Sequence, residues 1–139
     1  MINNKTGNDQ WLSFGITWKR PETITYLWQK FNLIRIKRKI KTRAIFIDQK
    51  SYEMWKGSPL MESKILKVSE LVSGGIFRNR LVLFNWKDFF AVEIIDKTIA
   101  NAFRKYFEIM WRNAKRPKII RKKQKGSSFP YLLISLLVG

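Results

Sequence analysis

The sequence contains neither cysteine nor histidine. Without cysteine, the chain can form no disulfide framework, no thiolate metal site and no thiol nucleophile. Without histidine, it lacks the commonest metal ligand and the commonest general base of proteins. Catalysis by Ser-His-Asp or Cys-His groups and by histidine-bound zinc is excluded. No catalytic residue, no cofactor and no metal site is therefore predicted.

Carboxylates are also scarce. Only 10 of the 139 residues are acidic, against 28 lysines and arginines, and the net charge is +18. Ten acids are too few to suggest a carboxylate-rich metal cage, whereas the positive excess points to an anionic partner or surface. Hydrophobic residues still make up 45% of the chain and aromatic residues 14%, a composition typical of a globular protein. The length fits one domain.

Two short runs carry most of the excess charge. Residues 35–43 hold six bases and residues 112–125 hold eight, and neither run contains an acid. The rest of the chain holds 14 bases and all 10 acids, so it is nearly balanced. If the runs bind a nucleic acid, they do so through phosphates. The ten candidate residues are Arg35, Lys37, Arg38, Lys41, Arg43, Arg116, Lys118, Arg121, Lys122 and Lys123.

The same runs have two other interpretations. The first is a solvated face and tail that keep the protein in solution, because charge runs alone are weak evidence of a partner. The second is an anionic membrane surface, because the second basic run precedes an apolar segment at residues 129–139. Those residues are too few for a membrane-spanning helix, which needs about 20. An edge strand and a docking peptide are further readings of this segment.

Hydrophobic periodicity predicts an α/β (α+β) domain in which a small mixed sheet carries two long helices. Helices are expected at 21–39, 49–55 and 97–114, and strands at 12–17, 41–47, 64–69, 76–77, 81–84 and 89–95. Asp96 is the expected N-cap of the last helix. Both long helices are expected on one sheet face, over a core that includes Ile45, Phe46, Leu81, Leu83, Val92 and Ile94. Trp11, Trp18, Trp55 and Trp86 are the candidates for stacking on bases.

The last strands and helix read "RNRLVLFNWKDFFAVEIIDKTIANAFRKYFEIMWRNAK". This segment resembles the end of the effector domain of TrmB-type archaeal transcription regulators. The turn matches at Asn79-Arg80, the strands match at 81–84 and 91–95, and the helix matches at Ile99-Ala100, Phe103-Arg104, Tyr106-Phe107-Glu108 and Trp111. The earlier segment 14–46 is similar to the family more loosely, with Arg38, Ile40, Lys41 and Arg43 at matching positions.

Two glycines of the family pattern are replaced here, by Lys39 and by Arg78. Lysine and arginine adopt positive φ less readily than glycine, so the two turns are expected to differ from those of the family. No winged helix precedes residue 11, which predicts an isolated effector domain, either a truncated or a split gene product. The predicted division is a flexible N-terminus at 1–10, an effector domain at 11–115, a basic linker at 116–128 and an apolar tail at 129–139.

The resemblance implies half of a phospholipase D-like fold, without the His-x-Lys motif that enzymes of that fold use. The expected function is a non-catalytic regulatory or interaction module in the cytoplasm. Its expected partners are a winged-helix protein, a second copy of the chain or an unidentified small ligand. The alternatives are a sequence-nonspecific nucleic-acid-binding protein and a peripheral membrane-associated basic protein.

Overall fold

The computed structural model describes residues 9–119, which form one six-stranded mixed sheet with helices on both faces. The predicted class, an α/β domain with a mixed sheet and two long helices, is confirmed. In chain order the elements are β1 (Trp11–Ile16), α1 (Glu22–Lys37), β2 (Thr42–Phe46), α2 (Gln49–Glu53), β3 (Met61–Ile65), β4 (Val72–Phe77), β5 (Arg80–Asn85), β6 (Phe90–Ile95) and α3 (Lys97–Asn113).

The sheet has a parallel half and an antiparallel half, in the order β3-β2-β1-β4-β5-β6. Strands β1, β2 and β3 are parallel, with Ala44 paired to Ser13 on one side and to Ser63 on the other. Strand β4 runs antiparallel to β1, and β4, β5 and β6 form the predicted antiparallel meander. Parallel strands need a crossover, and α1 supplies it between β1 and β2. The third strand was predicted at 64–69 and lies instead at Met61–Ile65.

The two long helices lie on opposite faces of the sheet, so their predicted placement on one face is wrong. Ile45 packs in a core cluster with Ala100 and Phe107 of α3. Its neighbours Ala44 and Phe46 pack in a second cluster, which residues of α1 and α2 complete. Successive residues of a strand point to opposite faces, and β2 therefore has a fully buried residue on each side.

Helix α1 turns two polar side chains, not only apolar ones, toward the sheet. Asn32 and Arg35 are buried, whereas Leu27 and Ile34 are about half exposed. Helical spacing predicts an inward apolar stripe of Ile24, Leu27, Trp28, Phe31 and Ile34, and Leu27 and Ile34 lie outside the observed inward face. Burial of polar groups is tolerated where they are hydrogen-bonded, and both side chains have partners in the loop before β3.

Helix α3 follows its sequence pattern closely. The Asp96 side chain accepts a hydrogen bond from the Ile99 N–H at 2.9 Å, as an N-cap does. Phe107 is fully buried, and Phe103, Met110 and Trp111 pack around the same cluster. Tyr106 is 53% exposed. The buried face is therefore narrower than the stripe that helical spacing predicts, which consists of Ile99, Phe103, Tyr106, Phe107, Met110, Trp111 and Ala114. Val92, expected in the core, is also exposed, because β6 is an edge strand.

Lys39 and Arg78 both adopt positive φ, at 56° and 53°. Lys39 lies just beyond α1, where the Lys39 N–H donates to the Ile36 carbonyl and the Ile40 N–H donates to the Arg35 carbonyl. This pair of bonds is a Schellman motif, whose left-handed residue is usually glycine. Arg78 begins the two-residue turn between β4 and β5. Both residues therefore adopt a left-handed backbone that glycine would adopt without strain.

The parts of the chain at either end fall largely outside the described residues. These parts include residues 1–8 of the predicted flexible N-terminus, most of the basic linker and the whole apolar tail. Between residues 9 and 119, none of the helices is both long enough and apolar enough to cross a bilayer.

Candidate ligand pocket beneath the first helix

A cavity lies between α1 and the sheet. Its cavity volume is about 60 Å³, within about 610 Å³ of space between atoms that includes open solvent. Pockets that bind small molecules are usually concave and mostly apolar, with a few polar groups. The cavity fits that description, because it is lined by Trp11, Ser13, Ile16, Arg20, Trp28, Phe31, Asn32, Arg35, Thr42, Ala44, Phe46, Trp55, Met61, Ser73 and Gly74. We call it the α1 pocket.

Arg20 lies in the loop between β1 and α1, and its side chain lines this pocket. The loop is held by two buried hydroxyl groups, those of Thr17 and Ser51. The Trp18 N–H donates to Ser51 Oγ at 3.0 Å, and the Lys19 N–H donates to Thr17 Oγ1 at 3.0 Å. Ser51 belongs to α2, so the bond from Trp18 ties the loop to a separate element, whereas the bond from Lys19 holds the loop internally.

The Arg20 guanidinium lies between two indole rings. Its Cζ is 5.7 Å from the ring centroid of Trp28 and 5.8 Å from that of Trp55, distances that allow cation–π attraction. The Nε and Nη2 atoms each expose less than 1 Å² and have no hydrogen-bond partner within residues 9–119. Arg20 also has no ion pair in that part of the chain. Buried charged groups are normally paired, and this one is not.

Arg35 is the second arginine of the pocket, and its donors are fully used. Its Nε donates to Asn32 Oδ1 at 2.8 Å. Its Nη1 and Nη2 donate to the carbonyls of Ile40, Pro59 and Leu60 at 2.8, 2.9 and 3.2 Å. Nη2 also lies 3.5 Å from Ser58 Oγ. Arg35 therefore joins the end of α1 to the loop before β3. Its donors are not free for the phosphate contact that the sequence predicted.

The α1 pocket carries positive charge without compensation, because no acidic residue among residues 9–119 lines it. Burial lowers the pKa of Arg20 and of Arg35 to about 10 in each case. Both arginines remain protonated near neutral pH, since the lowered values are still well above 7. Three other polar side chains of the lining are engaged in hydrogen bonds. Asn32 donates to Ser58, Thr42 donates to the Trp11 carbonyl, and the Ser73 hydroxyl donates to the Gly15 carbonyl.

Arg43, another predicted phosphate contact, has a structural role on the opposite face. Both of its terminal nitrogens bond the Glu108 carboxylate, one of them at 3.0 Å. Its guanidinium also lies over the rings of Phe107 and Trp111, at 5.2 and 5.3 Å. The hydrogen bond from Arg43 is the main cause that lowers the pKa of Glu108. Arg43 is thus committed to α3 and is not available to a nucleic acid.

The remaining described candidates are exposed but do not form one surface. Lys37, Arg38 and Lys41 lie at the end of α1 and just before β2. Arg116 and Lys118 lie beyond the other end of β2, where the Lys118 N–H donates to Gln49 Oε1 at 3.0 Å. The five residues of β2 span about 16 Å at about 3.3 Å per residue, so the two groups are well separated. Arg121, Lys122 and Lys123 fall outside the described residues.

Two of the four tryptophans considered for base stacking are buried, Trp55 in the α1 pocket and Trp86 beside β4. The Trp86 Nε1 donates to Ser73 Oγ at 2.7 Å. Trp11 lines the α1 pocket and its ring is stacked on that of Phe77. Trp18 is partly exposed, with the Lys50 ammonium 3.5 Å above its ring. Of the four, Trp18 alone could offer a ring face to a base without unpacking the core.

Sequence reasoning missed Arg20, although one signal for it was present. A cation next to the N-terminus of a helix is electrostatically unfavourable, because the helix dipole is positive there. Arg20 immediately precedes Pro21, the N-cap of α1. A base in that position indicates a role other than helix stabilisation. Its burial could not have been read from the sequence, because Trp28 is supplied by α1 and Trp55 by the turn after α2.

Comparisons of this chain with protein-family models, with curated proteins and with solved structures give no match. The chemistry of the α1 pocket therefore rests on its own residues.

Proposed function

We propose that this chain is a non-catalytic regulatory module that binds a small, largely apolar molecule in the α1 pocket. The observation that carries the proposal is the aromatic lining of a cavity placed between a helix and the sheet. Trp11, Trp28, Phe31 and Trp55 surround it, and such rings bury a large apolar area per side chain. A ligand there would contact α1 directly, so its binding would stabilise the position of that helix.

The resemblance to TrmB-type effector domains supports a regulatory role and belongs to the same proposal. In that case a winged-helix protein or a second copy of the chain is the expected partner, and the cytoplasm is the expected location. Strand β6 offers a surface for a second copy, because it is an edge strand and Phe90, Val92 and Ile95 are exposed along it. Exposed apolar edges are prone to pair with other strands.

The test of the proposal uses indole and toluene as neutral aromatic probes. We expect saturable binding by titration calorimetry and a rise in the unfolding temperature of the full chain. Ser13→Val enlarges a side chain of the pocket wall and should weaken binding several-fold. Ser63→Val is the matched control, because Ser63 lies in the same row of the sheet as Ser13 and outside the pocket lining. If neither probe binds, or if both variants behave alike, the proposal is wrong.

A nucleic-acid-binding role is the second candidate, favoured by the exposed cations at the end of α1. Lys37, Arg38 and Lys41 form no ion pair within residues 9–119. Each phosphate contact contributes about 0.9 to the slope of log affinity against log salt. We expect reversal of these three charges to glutamate to lower the slope for random duplex DNA by about two to three.

The control for that experiment reverses Lys87, Lys97 and Lys105, which are exposed at the β5–β6 turn and on α3. This triple variant has the same net charge as the first. Equal losses of slope in both variants would show that DNA responds to net charge alone. An unchanged slope in the first variant would exclude the end of α1 as a contact.

A further inference from the structure

We infer that the ligand of the α1 pocket is a carboxylate on a small apolar body, and that Arg20 binds the carboxylate. This inference rests on the proposed function and adds the chemical class of the ligand. It starts from which two nitrogens of Arg20 are unpaired. Nε and Nη2 share one edge of the guanidinium, and both lack a partner within residues 9–119. That edge can donate two parallel hydrogen bonds to the two oxygens of one carboxylate.

The surroundings of Arg20 favour a carboxylate over a phosphate. A phosphate dianion has three terminal oxygens and a charge of about −1.5 to −2 near neutral pH, so it needs several donors. Within the described residues the pocket has one unpaired arginine edge, while the donors of Arg35, Asn32 and Thr42 are already engaged. One unpaired planar edge matches the two oxygens of a planar carboxylate.

The aromatic lining supplies the rest of the specificity. Trp28 and Trp55 flank the Arg20 guanidinium, and Phe31 and Trp11 continue the apolar wall beyond it. A ligand with an aromatic or short aliphatic body would place that body along these rings. Because Nε and Nη2 each expose less than 1 Å², the carboxylate reaches them when Arg20 changes rotamer or the Trp55 ring shifts. Ligand binding is then coupled to the packing of α1 against α2.

The test compares phenylacetate, phenylacetamide and phenyl phosphate on the full chain. These probes share an aromatic body and differ in the head group. We expect phenylacetate to bind at least tenfold more tightly than phenylacetamide, and more tightly than phenyl phosphate. In Arg20→Met the advantage of phenylacetate over phenylacetamide should disappear. Arg20→Lys should keep only part of it, because an ammonium has the charge but not the planar edge.

Lys30→Gln is the matched control, because Lys30 is an exposed cation on the outer face of α1, over the Tyr26 ring. It removes one positive charge and should leave all three affinities unchanged. Equal affinity of the wild-type chain for phenylacetate and phenylacetamide would overturn the inference while the proposed function stands. Retention of the phenylacetate advantage in Arg20→Met would also overturn it. If none of the neutral or charged probes binds the wild-type chain, the proposed function fails as well. Tighter binding of phenyl phosphate would replace the carboxylate with a phosphate.

Discussion

The two arginines of the α1 pocket should respond in opposite ways to the same substitution. Arg35 donates five hydrogen bonds, three of them to backbone carbonyls. Hydrogen bonds from a charged donor contribute about 1.5–3 kcal/mol each, and a buried acceptor left without a partner costs about 1–3 kcal/mol. Water can reach some of the freed acceptors once the side chain is shortened. We therefore expect Arg35→Met to lower the free energy of unfolding by about 3–5 kcal/mol, a large part of the roughly 5–15 kcal/mol typical of a domain.

Arg20→Met removes a guanidinium whose Nε and Nη2 have no acceptor within residues 9–119. The loss is that of two cation–π contacts, about 0.5–2 kcal/mol each. The gain is removal of the desolvation cost of two buried, unpaired donors on a charged group, about 1–3 kcal/mol each. Burial lowers the pKa of Arg20 to about 10, so the charged form is disfavoured in the fold. We expect a change in the free energy of unfolding between about zero and 2 kcal/mol in favour of the variant.

Urea unfolding followed by far-UV circular dichroism measures both effects, with an unchanged dependence on denaturant as evidence that the transitions are comparable. The decisive quantity is the difference between the two variants, expected at about 3 kcal/mol or more. A loss of stability in Arg20→Met as large as that in Arg35→Met would refute the reasoning. It would mean that Arg20, like Arg35, has a structural role, and that its donors are not available to a ligand.

Three further outcomes are expected. Lys39→Gly and Arg78→Gly should each raise the free energy of unfolding by roughly 0.5–1 kcal/mol, because relief of left-handed strain outweighs the added chain entropy; a loss in urea unfolding would contradict this. The hydrogen bond from Arg43 lowers the pKa of Glu108 in the folded chain. The contribution of the ionised Glu108 carboxylate to the free energy of unfolding is therefore present above about pH 4.5, and it is lost as the pH falls through the lowered pKa of the folded state. Glu108→Gln should flatten the loss of stability below about pH 4.5, by less than about 1 kcal/mol because the carboxylate is half exposed; a loss as steep as in the wild type would refute this. Trp86→Phe removes a buried hydrogen bond to Ser73 and should cost about 1–2 kcal/mol in thermal unfolding, whereas an unchanged unfolding temperature would show that this bond contributes little.

Helix α3 and the meander were predictable because their signals are local. The Asp96 side chain caps the helix by accepting from the N–H of Ile99, three residues later. The Arg78-Asn79 turn joins two strands whose residues pair directly beside the turn. Neighbours within a few residues determine such features, so the sequence pattern contains nearly all of the information. The edge position of β6 was not predictable, since it depends on which strands pair across the whole sheet.

The sequence by itself determined the class of fold, the charge, the absence of cysteine and histidine chemistry, and the ends of α3. The tertiary structure alone decided which arginines are inside. Arg35 belongs to a run of bases that reads as a solvated surface, yet carbonyls from the loop at residues 58–60 satisfy it in the interior. Arg20 is enclosed by Trp28 and Trp55, which are separated in sequence. Burial of a charge depends on partners supplied by distant segments, and for this reason only the folded chain distinguishes a structural arginine from one that can bind a ligand.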